Sequence, residues 1–462
     1  MTVDVVVAGG GPVGLMLACE LALNGVAVTV VEREPAPVEQ LKAGSITLRT
    51  MQVLTMRGLL HRVEGVIPLP PGVAGHFAGI TKLEVPERGE PGAVIVMQVQ
   101  IERMLQARAL ELGVDLRREQ EVTGLDQDEQ GVRVHTSGGT IRARYLVGCD
   151  GGRSAVRKLA GFEFPGTDPT VTCRQGIVTL EGAESLPKSW NHTPRGVFVN
   201  GPGPRLLTVE FDGPPTDRDA PVTAGELEDS LERVTGVRAR ITEGKWLSRY
   251  TDNTRQVPGY RRGRVLLAGD AAHVHAPWGG QGLNLGIHDA VNLGWKLAAT
   301  VHGWAPAELL DTYTSEQHPV GARVLSNTRA QLAMMNPDPH HLAMRELMSE
   351  LMDLPEVCVK LGSMLAFADI RHDPRVPDSH ELAGRFAPVC GDLSAGKAVL
   401  VGPAELGEHL AGWSDRVELR VDSAVETAVL IRPDGYVAWA GTGEWVGLEK
   451  ALFTWFGDPV VN

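Results

Sequence analysis

Two stretches of this chain combine residue types whose spacing suits ligand chemistry. The first runs Val265-Leu266-Leu267-Ala268-Gly269-Asp270-Ala271-Ala272-His273 and continues through Pro277-Trp278-Gly279-Gly280-Gln281-Gly282-Leu283-Asn284. Its apolar run reads as a strand ending on Gly269-Asp270, followed by a glycine-rich loop and a helix that opens over Leu283 to Gly286. The first amides of a helix have no internal partner, so a helix N-terminus favours negative charge. An aspartate at the strand end can accept hydrogen bonds from a polyol, while the loop amides meet an anionic ring edge.

The second stretch opens the chain. Val3 to Ala8 reads as a fully buried strand, and Gly9-Gly10-Gly11-Pro12-Val13-Gly14 completes G-x-G-x-x-G. A helix over Leu15 to Leu23 follows, stopped by Asn24-Gly25, and a second buried strand over Val26 to Val31 ends on Glu32. Gly9 permits the tight turn, Gly11 lets backbone approach a pyrophosphate, Gly14 lets helix and strand pack closely, and Glu32 can hold a ribose hydroxyl. Strand, helix, second strand and terminal acid all occur at the spacing this unit requires. The two stretches together describe a flavin site, with the dinucleotide half on the first glycines and the polyol and ring on the later loop.

The remaining elements must position those two sites. Glu119 to Leu125, Val132 to His135 and Thr140 to Arg142 read as three short strands of a meander before another buried strand, Tyr145 to Cys149. Residues about 166–258 are rich in Thr, Val and Pro, with strand candidates at Gly176 to Leu180, Gly196 to Asn200 and Leu206 to Phe211. Phe77, Trp190, Phe198, Phe211 and Trp246 are available there either to line a pocket for a polycyclic ligand or to pack in a core. Leu342 to Leu354 carries apolar residues at helical spacing, including Met344, Met348 and Met352, which reads as a helix face packed on the body.

Composition sets the outer bounds. A chain of 462 residues has length for two to four domains, and its net charge of −13 without a basic block argues against nucleic acid or an anionic membrane surface as partner. No secretory leader is expected, since Val3 opens almost directly into a strand, and no apolar run of ~18–20 residues occurs in the sequence. The five cysteines (Cys19, Cys149, Cys173, Cys358 and Cys390) are scattered with no C-x-x-C pair, consistent with a reduced, cytoplasmic protein whose cysteines pack. His273 and His275, and His340 with His341, lack carboxylate or cysteine ligands at metal spacing, so no metal is expected.

Gly9 to Gly14 with Glu32, then Cys149-Asp150-Gly151-Gly152-Arg153-Ser154, then Gly269-Asp270 with Pro277 to Asn284, occur in an order that resembles single-component FAD-dependent aromatic monooxygenases of the para-hydroxybenzoate hydroxylase type. The likeness is nearer to the actinobacterial branch of polyketide hydroxylases and rifampicin monooxygenase. It extends to Leu430-Ile431-Arg432-Pro433-Asp434-Gly435-Tyr436-Val437-Ala438-Trp439 near the end.

The resemblance implies an α/β architecture: a Rossmann-like FAD-binding domain over 1–72, 93–165 and 259–379, and an interleaved β-sheet substrate domain over 73–92 and 166–258. A C-terminal thioredoxin-like domain over 380–462, lacking C-x-x-C, completes it. It further implies that Gly9, Gly11, Pro12, Val13, Gly14, Glu32 and Arg33 hold the ADP half, and that Lys42, Gln98 and Arg103 sit along the FAD. Asp150, Gly151 and Arg153 would serve FAD and NAD(P)H, Gly269 and Asp270 the ribityl chain, and Pro277, Gly279, Gly280, Gln281, Gly282, Leu283 and Asn284 the isoalloxazine. Pro277, Gly279, Gly280 and Gly282 would border the reacting centre.

The implied reaction is hydroxylation of a polycyclic aromatic, polyketide-type substrate by FAD, O₂ and transient NADPH or NADH through a C4a-hydroperoxyflavin, in a monomer or homodimer. Baeyer–Villiger oxygen insertion and flavin-bound sequestration without turnover are the alternatives. One departure stands out: Lys42-Ala43-Gly44-Ser45 replaces the family's usual arginine-bearing segment, keeping the charge but losing the planar fork.

Overall fold

A computed structural model describes residues 2–69, 75–83, 92–201, 204–218, 220–376, 380–388, 391–443 and 445–460. Cys390 and most of the 84–92 part of the expected substrate-domain insertion lie outside the described residues.

The central sheet is built from β1 (Thr2–Ala8), β2 (Val28–Val31), β3 (Asp115–Arg117), the hairpin β4 (Val122–Gln127) and β5 (Val132–Thr136), and β6 (Gly139–Gly148). Later in the chain β12 (Arg261–Arg262) and β13 (Val265–Leu267) join it, giving the order β12-β13-β6-β1-β2-β3. β1 runs parallel to both β2 and β6, and β13 is parallel to β6. Val5, Val6 and Val7 are fully buried, as expected for a parallel strand covered on both faces.

Expected boundaries near this sheet shift for physical reasons. The first helix, α1, begins at Pro12 and not Leu15, because proline at the first helical position loses no hydrogen bond that the helix would have made. Thr140–Arg142 and Tyr145–Cys149 are not two strands: β6 is continuous, half-solvated and alternating where it pairs with β5, then buried where it pairs with β1.

Helices cover this sheet: α1 (Pro12–Leu23), α2 (Leu48–Met56), α3 (Gln98–Glu111), the short α4 (Ala155–Leu159) and α6 (Gln281–His302). α6 lies close against α1, since a Cβ at Gly294 would fall 2.4 Å from the Glu20 Cβ. Glu20 is itself buried and accepts from the Arg57 guanidinium Nε at 2.7 Å and Nη2 at 2.8 Å.

A separate antiparallel sheet of order β8-β9-β10-β7-β11 is formed by β7 (Thr172–Glu181), β8 (Ser189–Thr193), β9 (Gly196–Asn200), β10 (Arg205–Glu210) and β11 (Arg240–Thr251). Its faces alternate with the strand period. Val178, Phe198 and Leu206 pack under α5 (Ala224–Thr235), while Cys173, Val197, Leu207 and Val209 face the 277–284 loop and the later helices.

Those helices are α7 (Thr312–Met335), α8 (Pro339–Leu351) and α9 (Pro355–Leu365). The apolar stripe expected over 342–354 is only half used. Met348 and Met352 pack beside Met334, Met335 and Leu365, whereas Met344, Leu347 and Leu351 remain exposed.

The C-terminal sheet joins β14 (Ala398–Gly402), β15 (Val417–Val421), β16 (Ala428–Ile431) and β17 (Val437–Gly441) in the order β15-β14-β16-β17, with α10 (Leu448–Phe456) on it. β14 and β15 are parallel and the other two pairings antiparallel, a shortened thioredoxin-like layout whose first crossover is a 3₁₀ turn. It docks on α6 through Trp295, which lies among Leu430, Trp455 and Phe456. Beneath that contact Arg432 donates to Glu316 at 2.7 and 2.8 Å and also pairs with Asp434, and Lys296 donates to Glu316 at 2.7 Å. The four charges cancel, which is what lets so many ionised groups sit in the interior.

Candidate active site

The turn after β1 is shaped by what its glycines exclude. A Cβ at Gly14 would fall 2.0 Å from the Gly9 carbonyl oxygen, and one at Gly9 would fall 2.4 Å from the Cys149 carbonyl. Gly9 also takes φ +110°, which disfavours other residues. Gly11 differs: nothing lies within 4 Å of its added Cβ, so its backbone borders open space at the start of α1, where phosphate oxygens can approach the free amides. Glu32 accepts from the Gly10 amide at 2.6 Å and from the Glu34 amide at 2.8 Å, fixing the turn with lone pairs left for a ribose hydroxyl.

The strand end at Gly269-Asp270 is held from below. The Gly269 amide donates 2.9 Å to Asp289 Oδ2, and the same oxygen pairs with His273 Nε2 at 2.7 Å, both side chains fully buried. Burial alone would push the His273 imidazole down. The Asp289 carboxylate outweighs burial, through charge and hydrogen bond, and holds the ring above the ordinary histidine range. Asp270 itself is exposed and makes no hydrogen bond among the described residues, which leaves its carboxylate available to a polyol.

Arg157 joins the two halves. Its guanidinium donates to the Ala271 carbonyl at 3.0 Å and the Gly152 carbonyl at 2.9 Å while lying 3.8 Å over the Phe164 ring. Asp150 is spent locally. It accepts from the Ser154 hydroxyl and from the Ala155 and Val156 amides at 2.7 and 3.1 Å, so it shapes the 150–156 loop that presents Gly151 and the exposed Arg153.

The loop from Pro277 to Gly280 is a tight turn with Gly279 at φ +78° and Gly280 at φ +65°, and α6 opens at Gln281, two residues earlier than expected. Asn284, buried, donates to the Gly280 carbonyl at 2.7 Å and accepts from the Thr47 amide at 2.9 Å. That second bond ties the loop to the strand following Lys42-Ala43-Gly44. Lys42 is exposed; the Gln98 amide donates to the Ala43 carbonyl at 3.0 Å, and Gln175 Nε2 donates to the Leu41 carbonyl at 2.7 Å.

Arg33 is exposed against Glu34, and Arg103 reaches Glu39 at 2.7 Å, placing both on the outer rim of this segment. Gln98 donates at 2.7 Å to Glu102, a buried acid that burial pushes up. Pro12 and Val13 form the first turn of α1, and Val13 contacts the space over Gly269 and Gly286. Leu283 is buried in the central core.

Several functional groups escape sequence reasoning. His275 donates from Nδ1 to the Ala276 carbonyl at 2.7 Å, which leaves Nε2 a bare acceptor beside Gly282, without a partner among the described residues. Asn327 donates 2.8 Å to Gln281 Oε1, Gln331 donates 3.2 Å to Asn327 Oδ1, and the Ala78 amide donates 3.0 Å to Gln331 Oε1. All three side chains are buried. On the far side of this loop Trp278 packs with Trp190, Phe77, Met334, Met335 and Leu365. Of the aromatic candidates, Phe77 and Trp190 face this region and Phe211 lies at its edge, whereas Phe198 lies under α5 and Trp246 joins no core cluster.

Among the described residues no helix is long and apolar enough to cross a membrane, and no group of three or more His, Cys, Asp or Glu is arranged to hold a metal ion. Residues 2–328 match the FAD binding domain model, and residues 367–459 match the model of the aromatic-ring hydroxylase C-terminal domain. Rifampicin monooxygenase of Streptomyces venezuelae is 42% identical, with 98% of each chain covered. Dialkyldecalin synthase of Streptomyces rugosporus is 42% identical over 99% of each. The structure of the anhydrotetracycline hydroxylase OxyS of Streptomyces rimosus superposes with a TM-score of 0.92 at 41% identity, covering 100% of both chains.

Proposed function

The chain belongs to the FAD-binding aromatic-ring hydroxylases, and we propose that within this family it uses NAD(P)H and O₂ to hydroxylate a polycyclic aromatic of polyketide type. The observation that carries the reading is the packing of Val13, in the first turn of α1, against Gly269 and Gly286, which brings the open Gly11 turn next to the strand end bearing the unpaired Asp270 and to the helix that follows the Gly279–Gly280 turn. The 42% identity to rifampicin monooxygenase and the likeness to an anhydrotetracycline hydroxylase favour a fused, oxygenated ring system as substrate.

Bound FAD would supply the two-electron chemistry and the activation of O₂. The chain's own residues would do the rest. Gly11 and the first amides of α1 would bind the pyrophosphate, Glu32 the ribose, and Asp270 the ribityl hydroxyls. The amides opening α6 would stabilise negative charge on the ring's pyrimidine edge. Trp278, Trp190 and the methionines of α7 would hold the substrate ring in place and exclude water. With one G-x-G-x-x-G unit in the chain, NAD(P)H would dock transiently near the 150–156 loop and Arg153. On this reading residues 1–72, 93–165 and 259–379 form the FAD domain, 73–92 and 166–258 the substrate domain, and 380–462 a packing appendage.

The test is purification followed by mass spectrometry of the released cofactor, then a panel of phenolic polyketides scored by NAD(P)H loss and by gain of one oxygen. FMN alone, or flavin reduction indifferent to nicotinamide, would sink the reading. A second reading rests on the likeness to a protein named a synthase: this chain would be a flavin-bound protein that converts its substrate without consuming NAD(P)H. Substrate converted without NAD(P)H consumption would select it.

A further inference from the structure

Beside the flavin loop the structure buries hydrogen-bonding atoms that complete no hydrogen bond among the described residues. Trp278 Nε1, both ring nitrogens of His192, and Arg345 Nε are shielded from solvent with no partner in hydrogen-bond geometry among the described residues. The Ala78 backbone acts on the His192 ring without completing such a bond. Buried polar atoms of this kind are rare, because each costs the hydration it has lost. They also lie close together. Trp190, two residues before His192 on β8, packs edge-on to Trp278 at 6.1 Å and against His76 at 4.2 Å. A Cβ at Gly79 would touch both Trp190 and His192. Arg345, on α8, acts electrostatically on His192, and its helix neighbour Met348 packs in the same apolar cluster as Trp278.

The chemistry of the set is one-sided. An indole N–H and a guanidinium can only donate, and an imidazole can do either. Burial pushes both His76 and His192 down to about 4, so both rings are neutral at physiological pH. The charged groups that act on these imidazoles are Arg205 on His76 and Arg345 on His192, both cationic, and the acid acting on Arg345 is the exposed Glu346. A basic ligand would find no counter-charge here, and a bare hydrocarbon would leave the donors unsatisfied.

We infer that Trp278, His192 and Arg345 form the polar recognition set of the substrate pocket and select a fused aromatic whose edge carries ring oxygens, an acidic phenol or enol beside an accepting quinone-type carbonyl. The inference rests on the proposed hydroxylase reading and narrows its substrate class. Arg345 stabilises the ionised oxygen, Trp278 donates to a second oxygen on the flavin side, and His192 accepts from or donates to the group between them.

The test uses the FAD-loaded enzyme and three probes: a dihydroxyanthraquinone, anthracene and aminoanthracene. Equilibrium dialysis gives their affinities, and the absorbance of bound dihydroxyanthraquinone gives the acidity of its phenol. Wild type should prefer the dihydroxyanthraquinone over anthracene by roughly tenfold or more, the scale of one charged hydrogen bond. It should also lower the bound phenol pKa by about one unit, as an opposite charge at close range does. Trp278→Phe and His192→Phe should each erode the preference, and Arg345→Met should abolish the acidity shift while Arg345→Lys keeps it. Anthracene affinity should change less than about twofold throughout. Preference and phenol acidity unchanged in Arg345→Met and His192→Phe would overturn the assignment, as would tightest binding of aminoanthracene. If wild type binds none of the polycycles, the hydroxylase reading itself fails and takes this one with it.

Discussion

His273 Nε2 and Asp289 Oδ2 lie 2.7 Å apart in a fully buried pair, and the same carboxylate oxygen receives the Gly269 amide. A strand end that leaves Asp270 exposed is thereby fixed by an ion pair from the facing helix. Removing one partner leaves the other charge buried alone, so Asp289→Asn should cost roughly 3–5 kcal/mol. The pH dependence follows from the direction of the shift. The folded-state pKa of His273 is raised, so the pair's contribution is full below the unfolded value of ~6.5 and fades as pH climbs through the folded one. Thermal melts should therefore show the widest gap between wild type and His273→Gln at about pH 6, narrowing toward about pH 9. A gap that widens with pH would contradict the pair.

Gly11 and Gly14 belong to one motif but should fail differently. Alanine at Gly14 drives a methyl into the Gly9 carbonyl, a backbone contact that cannot give way, and should destabilise the apoprotein by at least about 1–3 kcal/mol. Alanine at Gly11 meets nothing within 4 Å, so the apoprotein should melt as wild type does. Its FAD affinity should still fall tenfold or more, about 1.4 kcal/mol, because the methyl occupies the phosphate approach. Unchanged FAD affinity in Gly11→Ala would mean the phosphate lies elsewhere.

What the sequence made legible is what backbone geometry demands locally. Gly9, Gly14 and Glu32 act within one turn and its neighbouring strand, so their spacing alone betrays them. The motif at Asp150 was visible for the same reason, but not that its carboxylate closes on Ser154 and two amides of its own loop. The supports were not visible. Gln331 meets Ala78 across 253 residues and Asn284 meets Thr47 across 237, through amides common anywhere in a protein. Arg157 stands next to a recognised motif, yet only the fold reveals that it reaches Ala271. Where Phe198 points depends on strand register, which one residue of slip would reverse.

Lys42 is exposed on a segment tied to the start of α6 through Thr47 and Asn284 and to α3 through Ala43 and Gln98. If its charge faces the phosphates or the reduced ring, Lys42→Arg should hold FAD as well as wild type or better, because the fork adds to the same charge. Lys42→Met should then release FAD more readily or slow its reduction. Equal affinity and equal reduction rates in all three proteins would leave Lys42 a solvated loop residue.

The buried run Gln281–Asn327–Gln331–Ala78 joins the start of α6, next to the Pro277–Gly280 loop, to the turn beneath Trp190 and His76 by three hydrogen bonds of 2.8, 3.2 and 3.0 Å. Every amide in it donates in the same direction, so each position is determined by the next. The Ala78 end is strained, with φ +51° in a residue that is not glycine, and is held there by Gln331. On the proposed reading, a ligand pressing on that turn would shift the Pro277–Gly280 loop through groups that cannot reorient singly. Asn327→Leu cuts the run in the middle and leaves Gln281 Oε1 and Gln331 Nε2 buried and unpaired, each costing about 1–3 kcal/mol. Gln331→Glu keeps the acceptor for Ala78 but loses the donor to Asn327. In stopped-flow reduction by NADPH, wild type should be accelerated by bound substrate. Both variants should lose most of that acceleration while their substrate-free reduction rates stay within about threefold of wild type, since ~0.65 kcal/mol separates such rates. Acceleration preserved in Asn327→Leu would show that the two loops communicate by another route.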